Sequence, residues 1–413
     1  MAIEIKVVAE SGIEDYSDAI DMGFYHPQNR GKRGARRREW FAEDLAAGRF
    51  IAAYDGGRVV GTFGNAANRV TVPGGASVPT AAVTAVTVTQ THRRRGILSS
   101  MMAAGLRQSA DAGEPLSILI PAEWPIYGRF GFGHATDETR YVVETARCAL
   151  ARPLPGTVEF VTAPQWVEEI PAVYDRLRAR TPGAIERRHQ WHERNTGLLT
   201  WDGKPTDSEL FLAVYRDESG IARGGLKYKF KDGLWDGFVP DGTATEVDLL
   251  AEDAVARVRL LQFLWEQDWV SSFEVETFPM DDSWRHLMAN PRYARAKQRV
   301  DVLWARVLDV PAALTARTYE GEGRLVVAVT DPAGYAEGVY ALEGGPGGAT
   351  VKRTTEAADL TMPVRTLGAL YFGHHAATAL AAVGELTEDK PGALAVADRM
   401  FKTAIPPFCA TWF

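Results

Sequence analysis

The stretch "AVTVTQTHRRRGILSSMMAAGLRQSADAG", residues 85–113, constrains the fold of this chain more than any other. A β-rich run ends in a basic, glycine-containing turn, and a helix starts at once. Ile97, Leu98, Met101, Met102 and Leu106 recur at helical spacing and share one face. A helix N-terminus leaves backbone N–H groups unpaired and carries partial positive charge, which suits a diphosphate. Gly96 lets the backbone come close, and the arginines add charge-assisted bonds. Taken alone, "RRRG" reads more simply as a solvated basic turn.

The residues beyond the helix tip the balance towards a phosphate site. A strand, "LSILI", leads into "PAEWPIYGRFGFG", residues 121–133. The succession of strand, Arg-x-x-Gly turn, helix, strand and Tyr-x-x-Phe-Gly-Phe resembles a GNAT (Gcn5-related) N-acetyltransferase. More narrowly, "THRRRGIL" joined to "IYGRFGFG" resembles the Eis (enhanced intracellular survival) acetyltransferases of actinobacteria. That resemblance implies an α+β chain: two GNAT-type acetyltransferase domains followed by a domain like sterol carrier protein 2.

The rest of the sequence divides in the same order. Residues 1–150 mix strands and helices; "RFIAAYDGGRVVGTFGNA" reads as a hairpin turning at Asp55-Gly56-Gly57. "ARPLPG", 151–156, is Pro/Gly punctuation and a boundary. From 151 to 300 a similar order recurs: a helix near Trp166–Arg180, strands "LFLAVYRD" and "GGLKYKF", then "VDLLAEDAVARVRLLQFLWEQ" as a helix with apolar Val255, Val258, Leu261 and Leu264. In 301–413, strands "RLVVAVTD", "GVYALEGG" and "ATVKRT" precede helical "TLGALYFG", "AATALAAV" and "GALAVADRMF", an α+β layer.

The resemblance assigns residues. Acetyl-CoA would dock in a splay between the fourth and fifth strands, with the backbone of Val86, Thr87 and Val88 binding the pantetheine arm. Arg94, Arg95, Gly96, Ile97, Leu98 and Ser99 would hold the diphosphate, and Ala122 and Glu123 would complete the cofactor site. Tyr127 matches the general acid that protonates the CoA thiolate. A thiol titrates near ~8.5 and a tyrosine near ~10, so transfer from an unperturbed Tyr runs uphill by roughly 2 kcal/mol. A lowered Tyr pKa, or transfer concerted with bond cleavage, would remove that cost.

The attacking amine must also lose a proton. Many GNAT enzymes place a Glu on the fourth strand, but "AVTAVTV" has no acidic residue. In the Eis family the acceptor is the C-terminal carboxylate. The chain ends "PPFCATWF", and two large aromatics at a terminus suggest an end packed inside rather than frayed. Phe413 therefore matches the base, with Trp412 as an anchor.

Composition bounds the remaining possibilities. The 413 residues exceed one ordinary core, and the net charge of −7 argues against a general nucleic-acid binder. No apolar run is long enough for a transmembrane helix and no signal peptide is evident, which points to the cytoplasm. The basic run "RGKRGARRR", 30–38, reads as a solvated loop or helix face. Cys148 and Cys409 are too few for a disulfide framework, and His374-His375 lacks an Asp, Glu or Cys at ligand spacing, so no metal is expected. Trp191, Trp201 and Trp265 read as core or pocket wall.

The resemblance implies acetylation of primary amines of aminoglycoside or lysine type, on a small molecule or a protein or peptide lysine, by a homohexamer. Polycationic substrates call for carboxylates. Neither "FCATWF" nor "MGFYHPQNR" offers any, which points to a flatter, aromatic or less charged amine. The rival reading is a lipid- or ligand-binding protein with a vestigial GNAT site.

Overall fold

A computed structural model describes residues 3–200, 209–234 and 237–413; Trp201 lies outside the described residues. The described strands form two seven-stranded sheets and one five-stranded sheet.

The first sheet holds β1 (Glu4–Val7), β2 (Phe50–Asp55), β3 (Arg58–Thr71), β4 (Ser77–Val88), β5 (Leu116–Leu119) and β6 (Gly133–His134). Between β1 and β2 come α1 (Ile13–Gly23), α2 (Gly34–Trp40) and α3 (Ala42–Ala46). The crossover from β4 to β5 is α4 (Ile97–Asp111), and α5 (Trp124–Tyr127) follows β5. The β2–β3 hairpin closes on Asp55 opposite Arg58. Gly56 and Gly57 make its turn at φ 57° and 83°, a conformation that residues with a Cβ rarely adopt. The expected apolar face of α4 is buried at Ile97, Met101, Met102 and Leu106 and half-buried at Leu98.

The second sheet repeats this plan. Its helix Ala163–Arg178 starts at a Thr162–Gln165 capping box. The strands Gly242–Ala251 and Val270–Phe278 run parallel, joined by the helix Ala254–Trp265, as β4 and β5 are by α4. The run "VDLLA" is thus the end of a strand rather than the start of the expected helix. Asp253 caps the helix by accepting from the Ala256 N–H at 2.8 Å, and Val258, Leu261 and Leu264 are its buried face.

The boundaries expected at 150 and 300 are corrected at two strands. A seventh strand, β7 (Asp137–Glu144), leaves the first segment and pairs inside the second sheet. Trp304–Val307, beyond residue 300, returns between β5 and β6 of the first. The two connections pass side by side. The N–H groups of Ala135 and Thr136 donate to the Leu303 carbonyl at 2.8 and 3.1 Å, and Val302 N–H donates to Thr136 at 2.9 Å. Local patterning reveals a strand but not which sheet it joins, because pairing is a long-range choice.

The third sheet, with the helices Val310–Ala316, Val364–Tyr371, Ala377–Ala382 and Ala393–Phe401, forms the C-terminal layer. Its core is continuous with Val70, Val78, Ala82, Leu116 and Ile118 of the first sheet. Val364–Tyr371 lies directly on that sheet's edge. A Cβ on Gly133 would fall 1.8 Å from the Arg365 carbonyl oxygen, and one on Gly368 would fall 2.1 Å from that of Ala305. Arg306 reaches Asp331 at 2.8 Å, both fully buried, across the same contact.

Candidate active site

β4 and β5 run parallel only from Thr80–Val83 opposite Leu116–Leu119. Beyond Val83 and Leu119 the pairing stops, while β4 stays paired to β3 as far as Val88. One residue of β3, Phe63, faces two of β4, Ala85 and Val86, and Ala85 sits at φ 51°. This bulge bends the end of β4 and opens a splay. Val86, Thr87 and Val88 form one lip of it, and Ala122 and Glu123, both exposed, follow β5 on the other. The Thr87 side chain is held by the Thr62 hydroxyl at 2.8 Å, which also touches the Ala85 carbonyl at 2.7 Å.

The basic turn opens α4 as expected. Arg94 (φ 63°) and Gly96 (φ 75°) both take the left-handed conformation, Gly96 is the N-cap, and Arg94 and Arg95 are exposed. Two residues without a sequence signal position this turn. His92, buried, meets Asp55 of the β2–β3 hairpin through Nε2 at 3.1 Å and the Thr91 hydroxyl through Nδ1 at 2.8 Å. The His92 hydrogen bond holds the Asp55 carboxyl below its usual range. An Asp before a Gly-Gly turn signals only a hairpin, so nothing local marks it.

Tyr127 is buried in the same cluster as Val83 and Leu119, the last paired residues before the splay. Burial, with the Glu123 carboxylate nearby, pushes its hydroxyl above the ordinary tyrosine range. The expected option of a lowered pKa is therefore corrected: desolvation opposes the phenolate, and the Glu123 charge works in the same direction.

A cavity of about 420 Å³ reaches the bulge at Thr84 and Ala85 and is walled by Phe24, Trp40, Phe41, Trp191 and Phe413. The chain terminus is held by the second domain. Phe408 N–H donates to the Pro182 carbonyl at 2.8 Å. Arg187 donates to the Ala410 carbonyl at 2.7 Å and the Thr411 hydroxyl at 2.8 Å, and the Tyr174 hydroxyl meets Thr411 at 2.9 Å. The Arg187 guanidinium lies between the rings of Tyr174 and Trp191, 3.8 and 3.7 Å from their centres. Trp412 is 63% exposed, so it does not anchor the tail as expected. Buried Phe408, Cys409 and Thr411 do, and Phe413 is half-buried.

The basic run 30–38 stitches α2 to α1. Arg37 and Arg33 both reach Asp21, at 2.9 and 3.2 Å, and Arg38 pairs with Glu14. The segments "FCATWF" and "MGFYHPQNR" hold no carboxylate, but Asp21, just before the second of them, and Glu186 line the first cavity, and further acids come from the second domain. A second cavity of about 630 Å³ shares Trp191, Arg194 and Trp412 with the first and is lined by Glu246, Asp248 and Glu276. These acids sit on strands of the other sheet and carry no sequence signal for this role.

The parted strands, the left-handed turn at a helix N-terminus and the buried Tyr127 define a GNAT acetyltransferase. Family models agree: an acetyltransferase (GNAT) domain matches residues 4–135, a second matches 183–307, and a sterol carrier protein domain matches 310–410. The chain belongs to the Eis family of N-acetyltransferases. It is 34% identical to N-acetyltransferase Eis of Mycobacterium tuberculosis, over 82% of each chain. It is 38% identical to an uncharacterized N-acetyltransferase of Streptomyces avermitilis, over 100% of this chain and 99% of that one. The crystal structure of Eis1 from Mycobacterium abscessus superposes with a TM-score of 0.84 at 29% identity, covering 99% of this chain and 100% of that one.

Proposed function

We propose that the enzyme transfers the acetyl group of acetyl-CoA directly to a primary amine of aminoglycoside or lysine type in a ternary complex. The amine nitrogen attacks the thioester carbon and the C–S bond breaks. The Tyr127 hydroxyl protonates the leaving thiolate, and the Phe413 carboxylate takes the amine proton. The observation that carries this reading is the parting of β4 from β5 beside a cavity lined by both the bulge and Phe413. In it, Val86, Thr87 and Val88 take the pantetheine arm, residues 94–99 the diphosphate, and Ala122 and Glu123 the far lip.

The two cavities support a substrate with an apolar or aromatic body among the first cavity's rings and a second basic group near Glu246, Asp248 and Glu276. Carboxylates favour a cationic partner by complementary charge. A cytoplasmic homohexamer belongs to the same reading and is checked by light scattering of the native protein. Among the described residues, no helix is long and apolar enough to cross a membrane.

A thiol-release assay with a panel of amines tests the reaction. Turnover with diamines and none without an amine is expected. No turnover with any amine, alongside tight lipid binding, would replace it with the ligand-carrier reading.

A further inference from the structure

Away from the splay, the fold gathers three histidines that are scattered in sequence. His134 ends β6, and His374 and His375 follow the helix Val364–Tyr371. Each offers one ring nitrogen, and these atoms all lie within 4.8 Å of one another, the one such group of His, Cys, Asp and Glu among the described residues. We propose that His134, His374 and His375 form a binding site for a divalent zinc-like cation that ties the C-terminal domain to the first domain.

The geometry matches the donor chemistry. Zinc–nitrogen bonds of about 2.0–2.1 Å place neighbouring ligands of a tetrahedron roughly 3.3–3.4 Å apart. His375 Nε2 already stands 3.2 Å from His134 Nδ1. Asp137 completes an orienting layer: one carboxylate oxygen binds His134 Nε2, and the other is 3.1 Å from His374 Nε2. A carboxylate on Nε2 leaves the lone pair of His134 on Nδ1, the atom facing His375, as in carboxylate–histidine–zinc arrangements. The Asp137 side chain is only 3% exposed and those of His374 and His134 only 6% and 14%, so the donors are preplaced in a largely dry setting. Water would fill the fourth position.

Two neighbours bear on the idea. Arg299 pairs with Asp137 and stands 3.2 Å from His374 Nε2, so its charge opposes an incoming cation. Its side chain is 56% exposed, and it can swing into water when a metal takes its place. Trp124, on the same short helix as Tyr127, packs edge-on against His134 at 5.4 Å between ring centres. A metal here would thus stiffen the support of α5 without touching the reacting atoms.

The test uses the full chain, stripped with a chelator and then dialysed against micromolar zinc. A single bound zinc per chain by elemental analysis, a raised melting temperature, and the visible absorption of tetrahedral cobalt on cobalt substitution are expected. His374→Gln with His375→Gln should lose zinc affinity by more than the roughly 10–100-fold expected of Asp137→Asn, which removes only an orienting charge. A parent protein that emerges from dialysis without zinc would overturn the site whatever the variants do. So would a folded double variant that retains the parent's zinc.

Discussion

The guanidinium of Arg187 grips Thr411 at 2.8 Å, two residues before the chain ends, from a different domain. With the Ala410 carbonyl and the Tyr174 hydroxyl, it fixes the backbone that delivers Phe413 to the cavity. The tail is positioned by hydrogen bonds to the second domain and by burial of Phe408 and Cys409, not by Trp412.

One or two glycines appended after Phe413 would move the main-chain charge while leaving Thr411 and Phe408 in place. A free α-carboxyl titrates near ~3.3–3.7, so it acts as base only through burial and proximity to the amine. We expect kcat to fall by about 10²-fold or more, with melting temperature and acetyl-CoA binding nearly unchanged. Arg187→Ala should lower kcat in the same direction, and combining the two should cost less than their sum, since both displace one group. Full activity of the extended chain would put the base elsewhere.

Tyr127→Phe should keep fold and cofactor binding and lower kcat by about 10²–10⁴-fold, the usual worth of a general acid. Because burial raises its pKa, the hydroxyl stays protonated beyond the ordinary tyrosine range. The kcat–pH profile of the parent should therefore show no alkaline loss attributable to this group below about pH 10. A stepwise transfer from a weakened acid to a thiolate is more uphill still, so the proposed role of Tyr127 calls for proton transfer concerted with C–S cleavage. A variant turning over at the parent rate would make Tyr127 a core aromatic.

Arg94→Ala with Arg95→Ala should raise KM for acetyl-CoA, since hydrogen bonds to charged groups are worth about 1.5–3 kcal/mol each. Both residues are exposed, so stability should hold. Isothermal titration with CoA reads the change directly, and an unchanged affinity would remove the diphosphate from this turn.

Glu138 provides a pH-dependent test of stability. It is buried on β7, its Oε2 has no hydrogen-bond partner among the described residues, and burial lifts its pKa to about 7. Arg140 opposes that shift; Glu276 and Asp248 add to it. The folded carboxyl stays protonated up to about 7, whereas the unfolded one ionises near 4.5, so stability present below 4.5 is lost as pH rises towards 7. At one pKa unit per 1.36 kcal/mol the loss is on the order of 3 kcal/mol. Glu138→Gln should leave the melting temperature nearly unchanged at pH 4 and raise it at pH 8. An equal shift at both pH values would contradict the linkage.

The sequence by itself determined the parts that depend on neighbours a few residues apart. The Asp55-Gly56-Gly57 hairpin, the Gly96 turn and the buried face of α4 follow from backbone sterics and from a 3.6-residue period, both local. The strand following Arg223 and the three C-terminal helices were legible for the same reason. Only the tertiary structure decided what lies far apart in the chain but close in space. It exchanged β7 and Trp304–Val307 between sheets and seated the tail on Arg187. It supplied carboxylates from the second domain and brought His134 beside His374 and His375. Strand pairing and side-chain convergence are set by the packing of whole layers, a property that no window of sequence contains.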